Sequence, residues 1–247
     1  MPQSAMPIVG IGASAGGIEA LGRFFDAMPP GSGCAFVVVL HLDPKHESEM
    51  AHILSARTAM PAAQVRDGMP VERDHVYVIA PDTELRVQEG KLRVSKPSTS
   101  RGPRHPVDVF FASIASSKRE RAIAIVLSGT GSNGSQGLQE IRAEGGMSLV
   151  QSSETAKFDG MPRSAIAADM ADHVLAPEMM PEVGIDIPPH PIDFEMTSDR
   201  RLGHQRRRAG LYAPALDQGL GEAERNHRLY RLRGRLSTTP TPFIQSA

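Results

Sequence analysis

The sequence predicts an α/β fold built on a doubly wound, mainly parallel sheet with helices on both faces. Two observations support this. Residues 8–11, 35–42 and 122–127 are apolar runs rich in Val and Ile without polar alternation, as expected of parallel strands covered by helices on both sides. Each is followed by a polar or glycine-rich stretch and then a helix-like segment, near residues 17–27, 47–57 and 135–144. Strand, loop and helix repeated in that order is the pattern of an open α/β sheet.

The other elements follow in chain order. Residues 76–80 read as a further strand, and residues 84–95 (ELRVQEGKLRVS) alternate around Glu89-Gly90, which predicts an exposed β-hairpin excursion from the sheet. Residues 107–117 read as a helix with Val107, Phe110, Phe111 and Ile114 on one face, and residues 147–150 and 173–175 as short late strands. The globular pattern fades near Gly184. From residue 187 the chain turns to PPHP, then to Arg200, Arg201, Arg206, Arg207 and Arg208, then to a polar end without sustained periodicity. The expected division is a domain at residues 1–186 and a Pro/Arg-rich tail at 187–247, disordered and solvated, with a basic docking arm as the alternative.

Composition narrows the function classes. A chain of 247 residues with 40% hydrophobic content can bury one sizeable core. A formal net charge of -1 gives no whole-chain argument for nucleic acid or an anionic membrane. The absence of Trp and 4% aromatic content argue further against single-stranded nucleic acid, which is bound on stacking platforms. A single cysteine, Cys34, rules out an intramolecular disulfide and multi-thiolate metal sites, and a reducing, cytoplasmic setting fits best. No apolar run approaches the roughly 20 residues that span a bilayer, so no membrane insertion is expected, and the start of the chain lacks the pattern of a signal peptide.

In an open α/β sheet, residues just beyond the carboxyl ends of adjacent strands converge on one crevice. Here they are Ser14, His41 and Asn133. Ser14 lies in Gly12-Ala-Ser-Ala-Gly16-Gly17, where small neighbours permit a sharp turn and leave amides near a helix N-terminus to receive a developing oxyanion. His41 ends AFVVVLHL, and Asn133 sits in Ser128-Gly-Thr-Gly-Ser-Asn-Gly134. A serine, a base and a group that orients the base form a nucleophilic triad. Two other readings compete. Gly10, Gly12 and Gly16 could be a dinucleotide fingerprint, but no acidic residue closes a second strand about 20 residues on. His41, Asp43, His46, Glu47 and His52 could suggest a metal, but their spacing fits no compact zinc motif and Pro44 breaks the helical phase, so a polar loop and helix start is favoured. No metal and no organic cofactor is expected.

Over residues 8–183 the sequence resembles the catalytic domain of the chemotaxis protein-glutamate methylesterases, the CheB family, above all the form that opens methylesterase–methyltransferase fusion proteins. The resemblance rests on GIGASAGGIEAL, VVVLHLDPKHESEM, DGMPVERDHVYVIAP, RHPVDVFFASIA, AIVLSGTGSNGSQGL and FDGMPRSAIAADMADHVLAP, in family order. It implies hydrolysis of γ-glutamyl methyl esters on chemoreceptor signalling helices, with glutamine deamidation in some members. It also implies Ser14 as nucleophile, His41 as general base, and Ala15, Gly16, Gly129, Thr130, Gly131 and Met161 as oxyanion or substrate contacts. One position departs from the pattern: Asn133 stands where the family carries the aspartate that orients the histidine. Ala15 replaces a usual threonine, and Thr130 a methionine of the stand-alone enzymes. The expectation is a serine-type ester hydrolase weakened by Asn133. The alternative is a catalytically degenerate module that binds the chemoreceptor or a receptor methyltransferase. The resemblance begins close to the first residue, so neither a receiver domain nor a methyltransferase half is expected in this chain.

Overall fold

The apolar runs form the middle of a parallel sheet in the computed structural model, which describes residues 6–29, 31–40, 49–97 and 105–184. In chain order the strands are β1 (Ile8–Ala13), β2 (Ala35–Leu40), β3 (Ala62–Gln64), β4 (His75–Val78), β5 (Glu84–Gln88), β6 (Lys91–Ser95), β7 (Ala122–Val126), β8 (Met147–Gln151) and β9 (His173–Leu175). Seven of them make one sheet in the order β3-β4-β2-β1-β7-β8-β9, with every pairing parallel. β1 lies between β2, with Ile8 opposite Ala35, and β7, with Ile8 opposite Ala122. The chain builds outward from β1 first on one side and then on the other, so β1 and β7 flank the topological switch point where α/β sheets open a crevice at their carboxyl ends.

Among the described residues six α-helices cover the two faces: α1 (Gly17–Ala27), α2 (Glu49–Ser55), α3 (Pro106–Lys118), α4 (Ser135–Ala143), α5 (Gly160–Ala167) and α6 (Met180–Gly184). Alternate residues of each strand point to opposite faces. Phe36 and Val38 of β2 join Phe24 and Phe25 of α1, Met50 and Leu54 of α2 and Met180 of α6. Val37 and Val39 join Val107, Phe110, Phe111 and Ile114 of α3, Leu138 and Ile141 of α4 and Met161 of α5. The predicted apolar stripe of α3 is therefore its core face. Phe24, Phe25 and Phe36 meet edge-on with ring centroids 5.1–6.2 Å apart, an arrangement that aromatic quadrupoles favour.

The predicted hairpin is present as an antiparallel pair of its own, β5 with β6. Its Glu89-Gly90 turn has positive φ at both positions, 52° and 72°, the backbone that matches strand twist in two-residue hairpins. It is not exposed throughout, which corrects the expectation. Leu85, Val87 and Leu92 are buried in the α3 side of the core, and Val87 N–H donates to Ser113 Oγ of α3 at 3.1 Å. Alternation thus reports one buried face rather than free exposure. The anticipated tail at 187–247 lies outside the described residues.

Candidate active site

Ser14 follows directly on β1. Its N–H donates to Ser128 O at 3.0 Å, and its carbonyl accepts from Gly17 N–H at 2.9 Å. That second bond closes a tight turn in which Gly16, with φ of 73°, caps the N-terminus of α1. An L side chain at Gly16 would place its Cβ 2.7 Å from Ser128 Oγ, so both backbone sign and space require glycine there. Ser14 is half-buried, and the amides of Ala15 and Gly16 donate to no partner among the described residues. Unengaged N–H groups at the start of a helix form an anion site, reinforced by the helix dipole.

The glycines upstream of the serine have a packing explanation. A Cβ on Gly10 would lie 3.0 Å from both Ile114 Cδ1 and Phe110 Cε1, and one on Gly12 would collide with Val107. They let α3 lie close against β1. The dinucleotide reading gives these glycines to a pyrophosphate, and the packing of α3 accounts for two of them without one.

A second turn, at residues 128–134, leaves β7 beside the first. Leu127 N–H donates to Gly12 O at 2.9 Å, extending the β1–β7 ladder to the edge of the crevice. Gly129 N–H donates to Phe158 O at 2.9 Å, and Gly129 O accepts from Met161 N–H at 2.8 Å. The Gly129 amide is thus already engaged, which removes it from the expected set of oxyanion donors. Met161, expected as a substrate contact, is 1% exposed and packs beneath Gly129, so it supports the turn from the core side. Thr130 and Gly131 are exposed, and their amides donate to no partner among the described residues. The Gly131 carbonyl accepts from Ser164 Oγ of α5 at 3.3 Å.

Asn133 occupies a junction between two helices. Its Oδ1 accepts from Asp108 N–H, in the first turn of α3, at 3.3 Å. Asp108 Oδ1 in return accepts from Gly134 N–H, at the N-cap of α4, at 2.9 Å and from Gly137 N–H, in its first turn, at 2.7 Å. Each side chain caps the other's helix and satisfies amides that have no partner within the helix. The Asp108 amide can only donate, so the Asn133 atom facing it is the oxygen, and the NH₂ end points elsewhere. His105 Nδ1 lies 3.6 Å from Asp108 Oδ2. Sequence reasoning missed Asp108, although an acid just behind Pro106 at a helix start is a recognisable signal.

His41 lies outside the described residues. The described part of β2 ends at Leu40, in register with Ala13 of β1. Of the weighed metal cluster, Asp43, His46 and Glu47 also lie outside, and His52 is in α2. Among the described residues no three His, Cys, Asp or Glu side chains gather as metal ligands. Burial pushes the Cys34 thiol up to about 11, so at neutral pH it is a core side chain rather than a nucleophile.

A comparison with protein-family models matches residues 9–183 to the family described as CheB methylesterase. The chain belongs to the CheB methylesterase family. A protein-glutamate methylesterase/protein-glutamine glutaminase of Pseudomonas aeruginosa is 32% identical over 69% of this chain and 51% of its own length. A putative protein-glutamate methylesterase/protein-glutamine glutaminase of Leptospira interrogans is 30% identical over 71% of this chain and 91% of its own length. A 104.1 kDa uncharacterized protein of Rhodobacter capsulatus is 42% identical over 52% of the chain, which matches 13% of that protein. The chain thus spans about half the length of the first of these enzymes and a small part of the Rhodobacter protein. Among solved structures, the CheB methylesterase catalytic domain of Thermotoga maritima superposes with a TM-score of 0.67 at 28% identity, over 74% of this chain and 99% of that one. Among the described residues no helix is long and apolar enough to cross a membrane.

Proposed function

We propose that this chain is a cytoplasmic protein-glutamate methylesterase acting on methylated chemoreceptor signalling helices, with Ser14 as nucleophile and His41 as general base. The observation that carries this reading is the turn at Ser14: a half-buried serine at the end of the central strand, with its own amide tied to Ser128 O and followed by two amides that donate to no partner among the described residues. Ser14 Oγ attacks the γ-ester carbonyl while His41 takes its proton. The oxyanion is received by the amides of Ala15 and Gly16, with those of Thr130 and Gly131 across the crevice. His41 then protonates the departing methanol, and water deprotonated by His41 frees the glutamate. A glutamine side chain would follow the same course and release ammonia.

Asn133 at the orienting position lowers the rate. An amide can hold the imidazole but cannot stabilise the imidazolium, and the same exchange in a serine protease lowers kcat about 10⁴-fold. The orientation of Asn133 compounds this: with Oδ1 turned to Asp108 N–H, its NH₂ end, if it meets the imidazole, favours the unproductive tautomer. That observation also favours a second reading, a degenerate domain that binds chemoreceptor or methyltransferase with little turnover.

Methanol release from a fully methylated receptor signalling fragment separates the two, with Ser14→Ala as the blank. The enzyme reading expects release above that blank and a gain of about 10²–10⁴ in kcat for Asn133→Asp. Release at the Ser14→Ala level from the parent, with Asn133→Asp active, would make the chain a disabled enzyme retained for binding, and release at that level from both would remove the support for the triad.

A further inference from the structure

Behind the nucleophile turn lies a short chain of buried polar groups. Ser128 and Gln151 are each 1% exposed, and the two converge beneath Ser14. Ser128 Oγ lies 2.8 Å from Ala15 O and accepts from Phe158 N–H at 3.0 Å; Phe158 O is also near, at 3.2 Å. A hydroxyl has one proton, and the shorter contact assigns it to Ala15 O. Ser128 N–H donates to Gln151 Oε1 at 2.8 Å. Gln151 Nε2 in turn donates to Thr155 O at 3.0 Å. Ser128 O takes the Ser14 amide. Every polar group of Ser128 is therefore engaged, and two of them grip consecutive residues of the nucleophile turn.

This grip sets the direction of one peptide plane. In a trans peptide the carbonyl of one residue and the N–H of the next point to opposite sides. Ala15 O drawn inward onto Ser128 turns Gly16 N–H outward, away from the core. We infer that Ser128 is a positioning residue for the reaction: its buried hydroxyl, braced by Gln151, fixes the Ala15–Gly16 peptide so that Gly16 N–H is aimed at the oxyanion formed on attack by Ser14. The inference rests on Ser14 being the nucleophile. A core in need only of volume would hold an apolar residue here, because a buried hydroxyl is favourable only when bonded. Both partners of this one are main-chain groups of segments that meet at Ser14.

The test compares the full chain with Ser128→Ala, Ser128→Cys, Ser128→Thr and Ser14→Ala, each in the parental and Asn133→Asp backgrounds. Two readouts are followed, methanol release from the methylated receptor fragment and the rate at which a fluorophosphonate probe labels Ser14, with thermal melts alongside. Misdirecting one oxyanion donor costs about 10²–10³ in kcat. The expected result is a fall of roughly 10²-fold in kcat and in labelling for Ser128→Ala, with KM changed by less than about twofold. Ser128→Cys, which keeps the size but only a weak donor, falls at least about tenfold. Ser128→Thr, which keeps the hydroxyl, returns to within about fivefold of the parent. Where Ser128→Ala does not fold, the Cys and Thr pair decides. Parental kcat and labelling in Ser128→Ala or Ser128→Cys, or a loss that Thr does not restore, overturns the inference while Ser14→Ala stays inactive. Activity retained in Ser14→Ala, or none above it in either background, overturns the nucleophile reading itself, and this inference falls with it.

Discussion

Two turns leave neighbouring strands at the same edge of the sheet and are held in different ways. The turn after β1 is fixed at its centre: the Ser14 amide, the Ala15 carbonyl and the Ser14 carbonyl each have a partner within the turn or directly beneath it. The turn after β7 is fixed mainly at its ends, with one side-chain bond, from Ser164 to the Gly131 carbonyl, between them. Gly129 is tied to the segment at Phe158 and Met161, Asn133 and Gly134 are tied to Asp108, and Thr130 and Gly131 between them are exposed. Rigidity is thus concentrated at Ser14, where the proposed nucleophile would need it, whereas the second turn doubles as the junction of α3 and α4. Residue 133 therefore has a structural task that an amide performs as well as a carboxylate, and the capping bond to Asp108 persists whatever the residue contributes to chemistry.

The sharpest way to break this contrast is Gly16→Ala. It forces an L residue to φ of 73° and sets a Cβ 2.7 Å from Ser128 Oγ and 2.9 Å from Lys157 Cβ. Left-handed backbone costs about 1–2 kcal/mol and overpacking about 1–3. Urea unfolding should show a loss of about 3 kcal/mol, with methanol release at the Ser14→Ala level. An intact rate would mean that the first turn is not the preorganised one.

Asp108→Ala tests the second turn. It leaves the N-cap amide of Gly134 and the first-turn amide of Gly137 without their carboxylate, and a lost cap costs about 0.5–2 kcal/mol. A decrease of about 2 kcal/mol in unfolding free energy is expected. Ser14 labelling by the fluorophosphonate should change far less than in Gly16→Ala, because the first turn has its own anchors. Equal losses of labelling in the two variants would show that the turns act as one unit.

The smallest effect is expected away from both turns, where Arg23 of α1 meets Glu178 at 2.6 Å. The hydrogen bond from Arg23 is the main cause holding the Glu178 carboxyl below its ordinary value of 4.5. A depressed folded-state value means stability present above that ordinary value and lost as pH falls through the folded one. The side chains are 36% and 41% exposed, so solvent screening keeps the contribution to about 0.5 kcal/mol. Glu178→Gln should therefore melt slightly below the parent at pH 7, and the difference should vanish as the pH falls through the lowered Glu178 value. A difference that grows in acid would reverse the assignment.

The sequence exposes those parts of the fold that depend on a residue's own chemistry. β1, β2 and β7 are legible because strands covered on both faces are apolar throughout, and α3 is legible through its stripe. β3 is only Ala-Ala-Gln at a sheet edge, half-buried, and shows neither alternation nor an apolar run. α5 carries Gly160 and Pro162 in its first turn, where proline is tolerated but reads in sequence as a breaker. The same division holds at the site. Ser14 and the two glycine-rich turns are visible as motifs. The engagement of the Gly129 amide, the burial of Met161 and the Asn133–Asp108 exchange are not, because each depends on a partner far away in sequence. Ser128 and Gln151 look like ordinary polar residues until burial and their bonds are known.

The bond from Ser128 to Ala15 joins residues 113 apart in the chain, and this has a consequence for synthesis. The serine leaves the ribosome before the groups that shape its turn, which arrive with β7, β8 and the segment at Phe158. Until that late half has docked, Ser14 is an unremarkable hydroxyl on an incomplete sheet. Long-range parallel pairing of this kind is also the slow part of folding, so the reactive geometry is completed only when most of the domain is in place. A nascent or prematurely terminated chain would carry Ser14 without the turn on which its proposed role as nucleophile depends.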